Sequence, residues 1–173
     1  MKVNINKGFI RLDAFEADDL SVVNSARVSF GKRKEFLDES DAGLINFLMK
    51  NGHGTPFEHS FFRFHIKTPI FVAREWFRHR IGSFNEFSMR YSIPTVEFYI
   101  PEIDHFRSQV GKPGSYTFEP MSNEDGSVEF LQRQIMETCL YAESVYNQLI
   151  ENGVAKEIAR IVLPVNTYTE FYW

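Results

Sequence analysis

Residues 60–90 read SFFRFHIKTPIFVAREWFRHRIGSFNEFSMR, and the fold turns on how this stretch is read. Phe62, Phe64 and Ile66 alternate with Arg63, His65 and Lys67. Successive side chains of a strand point to opposite faces, so a period of two predicts a half-buried strand from Ser60 to Lys67. Phe61 breaks the polar face, which predicts partial cover on that side too. Pro69 suits a first helical turn, where the N–H it lacks would have no partner. Ile70 to Arg80 reads as that helix, with Val72/Trp76 and Ala73/Phe77 as apolar pairs at i, i+4. Arg74 and Arg78 share one side of it, Glu75 and His79 another. Gly82 is the expected end. Ser83 to Tyr91 is polar with interleaved aromatics and keeps no period.

On the N-terminal side, Phe9 to Phe15 is short and mixed and reads as an edge strand. Asp18-Asp19-Leu20-Ser21 opens a helix reaching about Arg27, with acidic residues in its first turn. Ser40 or Asp41 caps a second helix carrying Leu44, Ile45, Leu48 and Met49, which Asn51-Gly52 ends because both tolerate positive φ. On the C-terminal side, Val96 to Ile100 reads as a strand stopped by Pro101. Residues 101–127 hold several breakers and read as a long loop, a lid or an insertion. Val128, Leu131, Ile135, Thr138, Ala142, Val145 and Leu149 recur at steps of three and four, a long amphipathic helix ending at Asn152-Gly153. Ala155 to Leu163 is a further helix, stopped by Pro164. The sum is an α+β fold: a small, mostly antiparallel sheet flanked by helices, with a long helix in the C-terminal half. The chain ends Phe171-Tyr172-Trp173, and termini ordinarily fray in water. These rings therefore dock on a partner chain, or the sequence is cut inside a larger core.

A length of 173 residues fits one domain spanning 1–173. Such a chain buries about 70% of its unfolded surface without staples. Hydrophobic residues make up 43% and Phe alone numbers 18, which excludes a disordered chain. The single cysteine, Cys139, excludes an internal disulfide and points to a reducing compartment. No apolar run is long enough to span a membrane, and the N-terminal residues lack the apolar core of a signal peptide. The expected compartment is the cytoplasm.

The net charge is −4, which argues against a general nucleic-acid coat protein. Residues 60–90 differ: six basic residues face Glu75 and Glu86, a local +4 that leaves −8 for the remainder. A local positive field in an acidic protein concentrates and orients a small anion. Within it, residues 78–90 supply Arg78, His79, Arg80, Ser83, Asn85, Glu86, Ser88 and Arg90. Guanidinium groups match two oxygens of a phosphate at once, and Ser and Asn can read the edge of a heterocycle. The chemistry alone admits an anion site or a surface salt-bridge network. Cys139 lies near an apolar helix stripe without basic neighbours and reads as structural rather than nucleophilic. Ser88 has no base at strand or helix spacing, so it is a hydrogen-bonding group. His53 and His59 match no zinc spacing, His105 reads as a surface residue, and no metal is expected.

The same residues carry a resemblance. Arg78-His79-Arg80, Ser83, Asn85-Glu86, Ser88 and Arg90 match the signature of the flavin-dependent thymidylate synthases. His53 to His59, Phe71 to Phe77 and Ala159 to Pro164 also resemble segments of that family, and only residues 101–127 match loosely. The resemblance implies methylation of dUMP to dTMP, with methylenetetrahydrofolate as carbon donor, FAD as cofactor and NADPH as reductant. It implies a FAD region of Thr55, Glu58, Arg78, His79, Arg80, Ile81 and Glu86. It implies a dUMP site of Glu75, Trp76, Phe77, Arg78, Glu86, Phe87, Ser88, Met89, Arg90 and Arg160, with Arg90 and Arg160 as phosphate forks. It further implies a homo-oligomer, a tetramer whose subunits share each site, with no nucleic-acid or membrane partner.

Three departures accompany it. Glu75 stands where the family usually has Gln, and it either repels the nucleotide phosphate or pairs with Arg78 or His79. Met89 stands where Gly is common. In the family the chain continues past the aromatic run, and that portion carries flavin-contacting Asn and Arg residues and the Arg that activates uracil. No catalytic residue is therefore assigned. The expectation is a C-terminally incomplete domain with impaired turnover and weak flavin retention. The alternatives are a non-catalytic relative that oligomerises or binds nucleotide without turnover, and an RNA-binding module in which aromatics interleaved with Arg stack bases.

Overall fold

The alternation at residues 62–67 becomes the middle of the molecule. The computed structural model describes residues 1–93 and 95–173. Its elements, in chain order, are β1 (Lys2–Ile5), β2 (Gly8–Glu16), α1 (Asp19–Arg27), α2 (Glu39–Lys50), β3 (Phe61–Pro69), α3 (Ile70–Trp76), β4 (Asn85–Glu86), β5 (Arg107–Val110), β6 (Thr117–Pro120), α4 (Ser127–Glu151), α5 (Lys156–Ala159) and β7 (Tyr168–Tyr172). Five strands form one antiparallel sheet in the order β1-β2-β3-β7-β4, and β5 pairs with β6 separately. The class is α+β, with helices flanking a small antiparallel sheet, as the sequence predicts.

Period two decides which face is dry. Ile66 lies opposite both Ile10 and Phe171, and Phe64 lies opposite Leu12. α3 covers this face: Ile66, Ala73 and Phe171 are each 1% exposed, ringed by Ile10, Phe64, Trp76, Phe77, Phe84 and Trp173. Ala73 offers only a methyl group, so the helix axis can approach the strands closely. The opposite face is polar, and His65 is half-buried there between Tyr172, stacked at 4.7 Å, and Phe9, edge-on at 5.0 Å. That is the partial cover Phe61 signalled, supplied by other rings. A register shift between Leu12 and Ala14 marks a bulge in β2.

Several expectations are corrected. β2 is not an edge, because β1 pairs outside it through the two-residue turn Asn6-Lys7, with Asn6 at φ 52°. Asp38, not Ser40 or Asp41, caps α2; Asp41 is the reciprocal partner and accepts from the Asp38 N–H at 2.9 Å. The ending at Asn51-Gly52 holds, with only Gly52 taking positive φ. Pro69 closes β3 and precedes the helix rather than filling its first turn. α3 stops at Trp76, short of Arg80. The Arg78 and His79 N–H groups bond three residues back, to Glu75 and Trp76, and this tightened turn ends the spiral. Residues 96–100 form no strand; they meet the residue before β7 through a single bridge, Phe98 to Thr167. Residues 101–127 are not a plain loop but carry the exposed β5–β6 hairpin. The segment 155–163 is one turn of α-helix followed by a 3-10 turn over Arg160–Val162.

The terminal aromatics dock within this chain. β7 lies between β3 and β4, Phe171 is in the core, and the Trp173 backbone exchanges hydrogen bonds with Phe64 at 2.8 and 2.9 Å. The Trp173 ring packs on Phe64, Trp76 and Phe84. α4 runs as predicted and buries Val128, Cys139 and Tyr146. Cys139 Sγ meets Asn166 Nδ2 at 3.2 Å, which supports its structural reading. Among the described residues no helix is long and apolar enough to cross a membrane.

Two substitutions probe this packing. Gly82 has φ 153°, and a Cβ there would sit 2.5 Å from Trp173 Nε1. Gly82→Ala is expected to cost about 1–3 kcal/mol and to shift the tryptophan fluorescence, both read in thermal and denaturant melts. Asp41 is buried under Arg27, at 2.7 Å, and Lys34, at 2.6 Å. The Lys34 hydrogen bond, then the Asp38 N–H, holds its carboxyl well below the usual carboxylate range. A depressed folded value adds stability above the unfolded value of about 4, and that stability is lost as pH falls further. Asp41→Asn should therefore lower Tm most at neutral pH, and the gap to the native chain should close in acid. An equal gap at every pH would contradict this.

Candidate active site

β4 is only two residues long, and a cleft opens beside β7 where it ends. Phe87 N donates to Glu170 O at 2.8 Å, and the chain then leaves the sheet. It returns where Tyr168 N donates to Glu97 O at 2.9 Å. Beneath the segment between these anchors lies a cleft of about 710 Å³. One wall is α3, with Ile70, Ala73, Arg74 and Phe77; another is Glu157, Arg160 and Ile161; the sheet edge gives Lys67, Tyr168, Thr169 and Glu170. Glu86, Phe87, Met89, Thr95 and Glu97 close it. Lys156 Nζ donates to Tyr91 O at 3.1 Å, tying α5 to the overlying segment.

The cleft's charges divide into paired and free groups. Lys67 is paired with Glu97, its ammonium also near the Tyr168 ring. Glu86 Oε1 accepts from Thr169 Oγ1 at 2.7 Å. His65 Nε2 meets Glu170 Oε2 at 3.0 Å, while Arg11 Nη2 lies 2.9 Å from His65 Nδ1. Guanidinium only donates, so Nδ1 accepts and Nε2 carries the proton given to Glu170. Arg11 also grips Asp13 at 2.5 Å, and that hydrogen bond holds the Asp13 carboxyl below its ordinary range. By contrast, Arg74 and Arg160 make no ion pair with any described residue and are exposed. Two uncommitted guanidinium groups in a walled cleft suit a bidentate anion. The salt-bridge-network reading of residues 78–90 finds no support, since none of the ion pairs among the described residues involves them.

The residues singled out from the sequence separate into three groups. Phe77, Glu86, Phe87, Met89 and Arg160 line the cleft. Glu75, Trp76, Arg78, Ser88 and Arg90 do not. Trp76 is in the core, edge-on to Phe171 and Trp173. Ser88 Oγ accepts from Arg90 N and Nε at 3.4 Å, and the Arg90 guanidinium lies 5.1 Å from the Tyr91 ring. Glu75 is exposed and forms no ion pair with Arg78 or His79. Thr55 and Glu58 bound a 3-10 turn outside the cleft. Arg78, His79 and Arg80 are exposed on the turn after α3, and Ile81 is 97% exposed. Ile81 borders a second, aromatic groove of about 590 Å³ with Phe61, Phe62, Phe64, Phe84 and Trp173.

Sequence reasoning missed Lys67, Arg74, Tyr168, Thr169 and Glu97. Arg74 carried a usable signal, a lone cation beside Ala73 on an apolar helix. The others become neighbours only through the β3–β7 pairing.

Comparison with known proteins agrees with this fold. A family model described as thymidylate synthase complementing protein matches residues 12–173. The chain is 48% identical over 171 residues to a flavin-dependent thymidylate synthase of Thermosipho melanesiensis, covering 98% of this chain and 72% of that protein. It is 43% identical over 169 residues to the enzyme of that name from Ehrlichia ruminantium, covering 98% of this chain and 56% of that longer protein. Among solved structures it resembles the UMP/dUMP methylase PolB of Streptomyces cacaoi bound with 5-Br UMP, at a TM-score of 0.85 and 38% identity, covering 96% of this chain and 70% of that one. The same methylase bound with 5-Br dUMP gives 0.84.

Proposed function

The chain belongs to the thymidylate synthase complementing protein family, the flavin-dependent thymidylate synthases, and on that footing we propose that it methylates dUMP to dTMP. The observation that carries the reading is the walled cleft holding two unpaired guanidinium groups, Arg74 and Arg160. Its volume suits a mononucleotide. Arg160 is the phosphate fork within the cleft and Arg74 adds a second cation, while Arg90, which does not line the cleft of its own chain, is the other fork through assembly. Phe77, Phe87 and Met89 supply apolar contact for the base, and Glu86 accepts a hydrogen bond from the nucleotide.

The cofactor is FAD, and its region comprises Thr55, Glu58, Arg78, His79, Arg80, Ile81 and Glu86. The donor set fits a diphosphate: Arg78 and Arg80, two residues apart, are exposed and form no ion pair among the described residues, and Ile81 follows them with an exposed apolar side chain. When bound, the flavin carries the hydride that NADPH supplies, and methylenetetrahydrofolate gives the carbon. This chain's residues bind, orient and neutralise. Cys139, the single cysteine, lies against Asn166 and does not line the cleft, which supports a route without a protein thiolate.

A homotetramer with shared sites follows from the same reading. Thr55, Glu58 and Arg78 to Arg80 do not line the cleft of their own chain, so a neighbouring subunit brings them to it. Glu75 and Ser88 contact the nucleotide through that assembly as well.

Titration with dUMP tests the site. Arg160→Ala should raise Kd about 30-fold, the loss of roughly 2 kcal/mol. Unchanged affinity in that variant would remove the assignment. Arg80→Ala should instead raise the Kd for added FAD about tenfold, the loss of one contact of about 1.4 kcal/mol, while leaving dUMP affinity within about threefold, since Arg80 belongs to the flavin region alone.

A further inference from the structure

We infer that Thr169 is a positioning residue for the nucleotide: it fixes the carboxylate of Glu86 in the orientation that leaves one oxygen facing the cleft. The inference rests on the reading of Glu86 as a nucleotide contact. Glu86 belongs to a strand only two residues long. Its backbone is held by the ladder to Phe171 and by Phe87 N donating to Glu170 O. These bonds place its Cα but leave its side-chain torsions free. A single interaction then fixes them, because among the described residues only Thr169 Oγ1, at 2.7 Å, bonds its carboxylate.

Thr169 is suited to this by burial and by chemistry. It is 8% exposed, in the middle of β7, directly opposite Thr68 on β3. A buried hydroxyl without a partner is costly, and a hydroxyl has one proton to give. An ionised carboxylate only accepts, so the proton goes to Oε1 and Oε2 stays available to a hydroxyl or N–H donor of the ligand. The hydroxyl is also sheltered from water, which strengthens a charge-assisted bond. Without it, the Glu86 side chain would swing freely into a cleft that also holds Glu97, Glu157 and Glu170. The ligand would then have to order it during binding, at a cost in affinity.

Valine keeps the branched shape and strand preference of threonine while removing the donor, and serine keeps the donor. In the full chain as purified, Thr169→Val should raise the dUMP Kd about tenfold, the worth of one such bond. Thr169→Ser should restore most of that loss, which a packing role for the lost methyl would not allow. The decisive reading is a double-mutant cycle with Glu86→Ala. If Thr169 acts through Glu86, Thr169→Val adds less than about twofold in the Glu86→Ala background. Should the valine variant fail to fold, Thr169→Ala takes its place in the same cycle. Additive effects, or native affinity in the Thr169 variants while Glu86→Ala weakens binding, would overturn the inference and leave the site reading standing. Native affinity in both Glu86→Ala and Arg160→Ala would overturn the site reading itself.

Discussion

The pairing of β3 with β7 is the interaction on which the rest depends. It sets Ile66 against Phe171 under Ala73 and so joins the centre of the chain to its last residues. Burying these side chains is worth roughly 1.5–3 kcal/mol each for the larger ones, the largest local gain available. The same pairing delivers the start of α3, whose Ile70 and Phe71 N–H groups donate to Thr167 O and Val165 O. These bonds satisfy donors that a helix beginning at a proline-capped strand would leave open. It also delivers Trp173 to Phe64 and, on the outer edge of β7, gives β4 its place.

A central strand pair with a short outer strand creates function by incompleteness. Once β4 ends at Glu86, the outer edge of β7 is met only by single hydrogen bonds, from Phe87 N–H to Glu170 O and from Tyr168 N–H to Glu97 O. The space beside it becomes the cleft, and its walls come from α3, from α5 with the turn that follows it, and from β3 and β7. Charged groups that would be expensive in the core are affordable there, since Lys67 has Glu97 and Glu170 has His65. Arg74 and Arg160 have no such partner among the described residues, which leaves two guanidinium groups unpaired in a cleft that also holds Glu86 and Glu157.

The division of labour between faces explains why the polar side of β3 is half-buried. Arg11, Asp13, His65 and Tyr172 form a cross-strand cluster with alternating donors and acceptors. Its far end is Glu170, so the sheet's polar face and the cleft wall share a hydrogen-bonded chain. The aromatic groove beside Ile81 lies on the other face, where Trp173 and Phe84 stack in parallel.

Local pattern was sufficient for β3, α1 and α4, because period two and period 3.6 are properties of adjacent residues. It was also sufficient for the basic cluster at residues 78–90, since charge density needs no fold. It failed where a boundary depends on a distant partner. α3 ends early because its last turn tightens, β2 is internal because the chain's first residues fold back on it, and 96–100 is only a bridge, to Thr167 just before β7. The cleft shows the limit most sharply. Phe77, Glu86 and Arg160 were legible through a motif, whereas Lys67, Thr169 and Glu97 came into place only when strands distant in the chain came into register. Side-chain chemistry is written residue by residue, but proximity between remote residues is a product of buried area and hydrogen-bond registry, which the folded chain alone resolves.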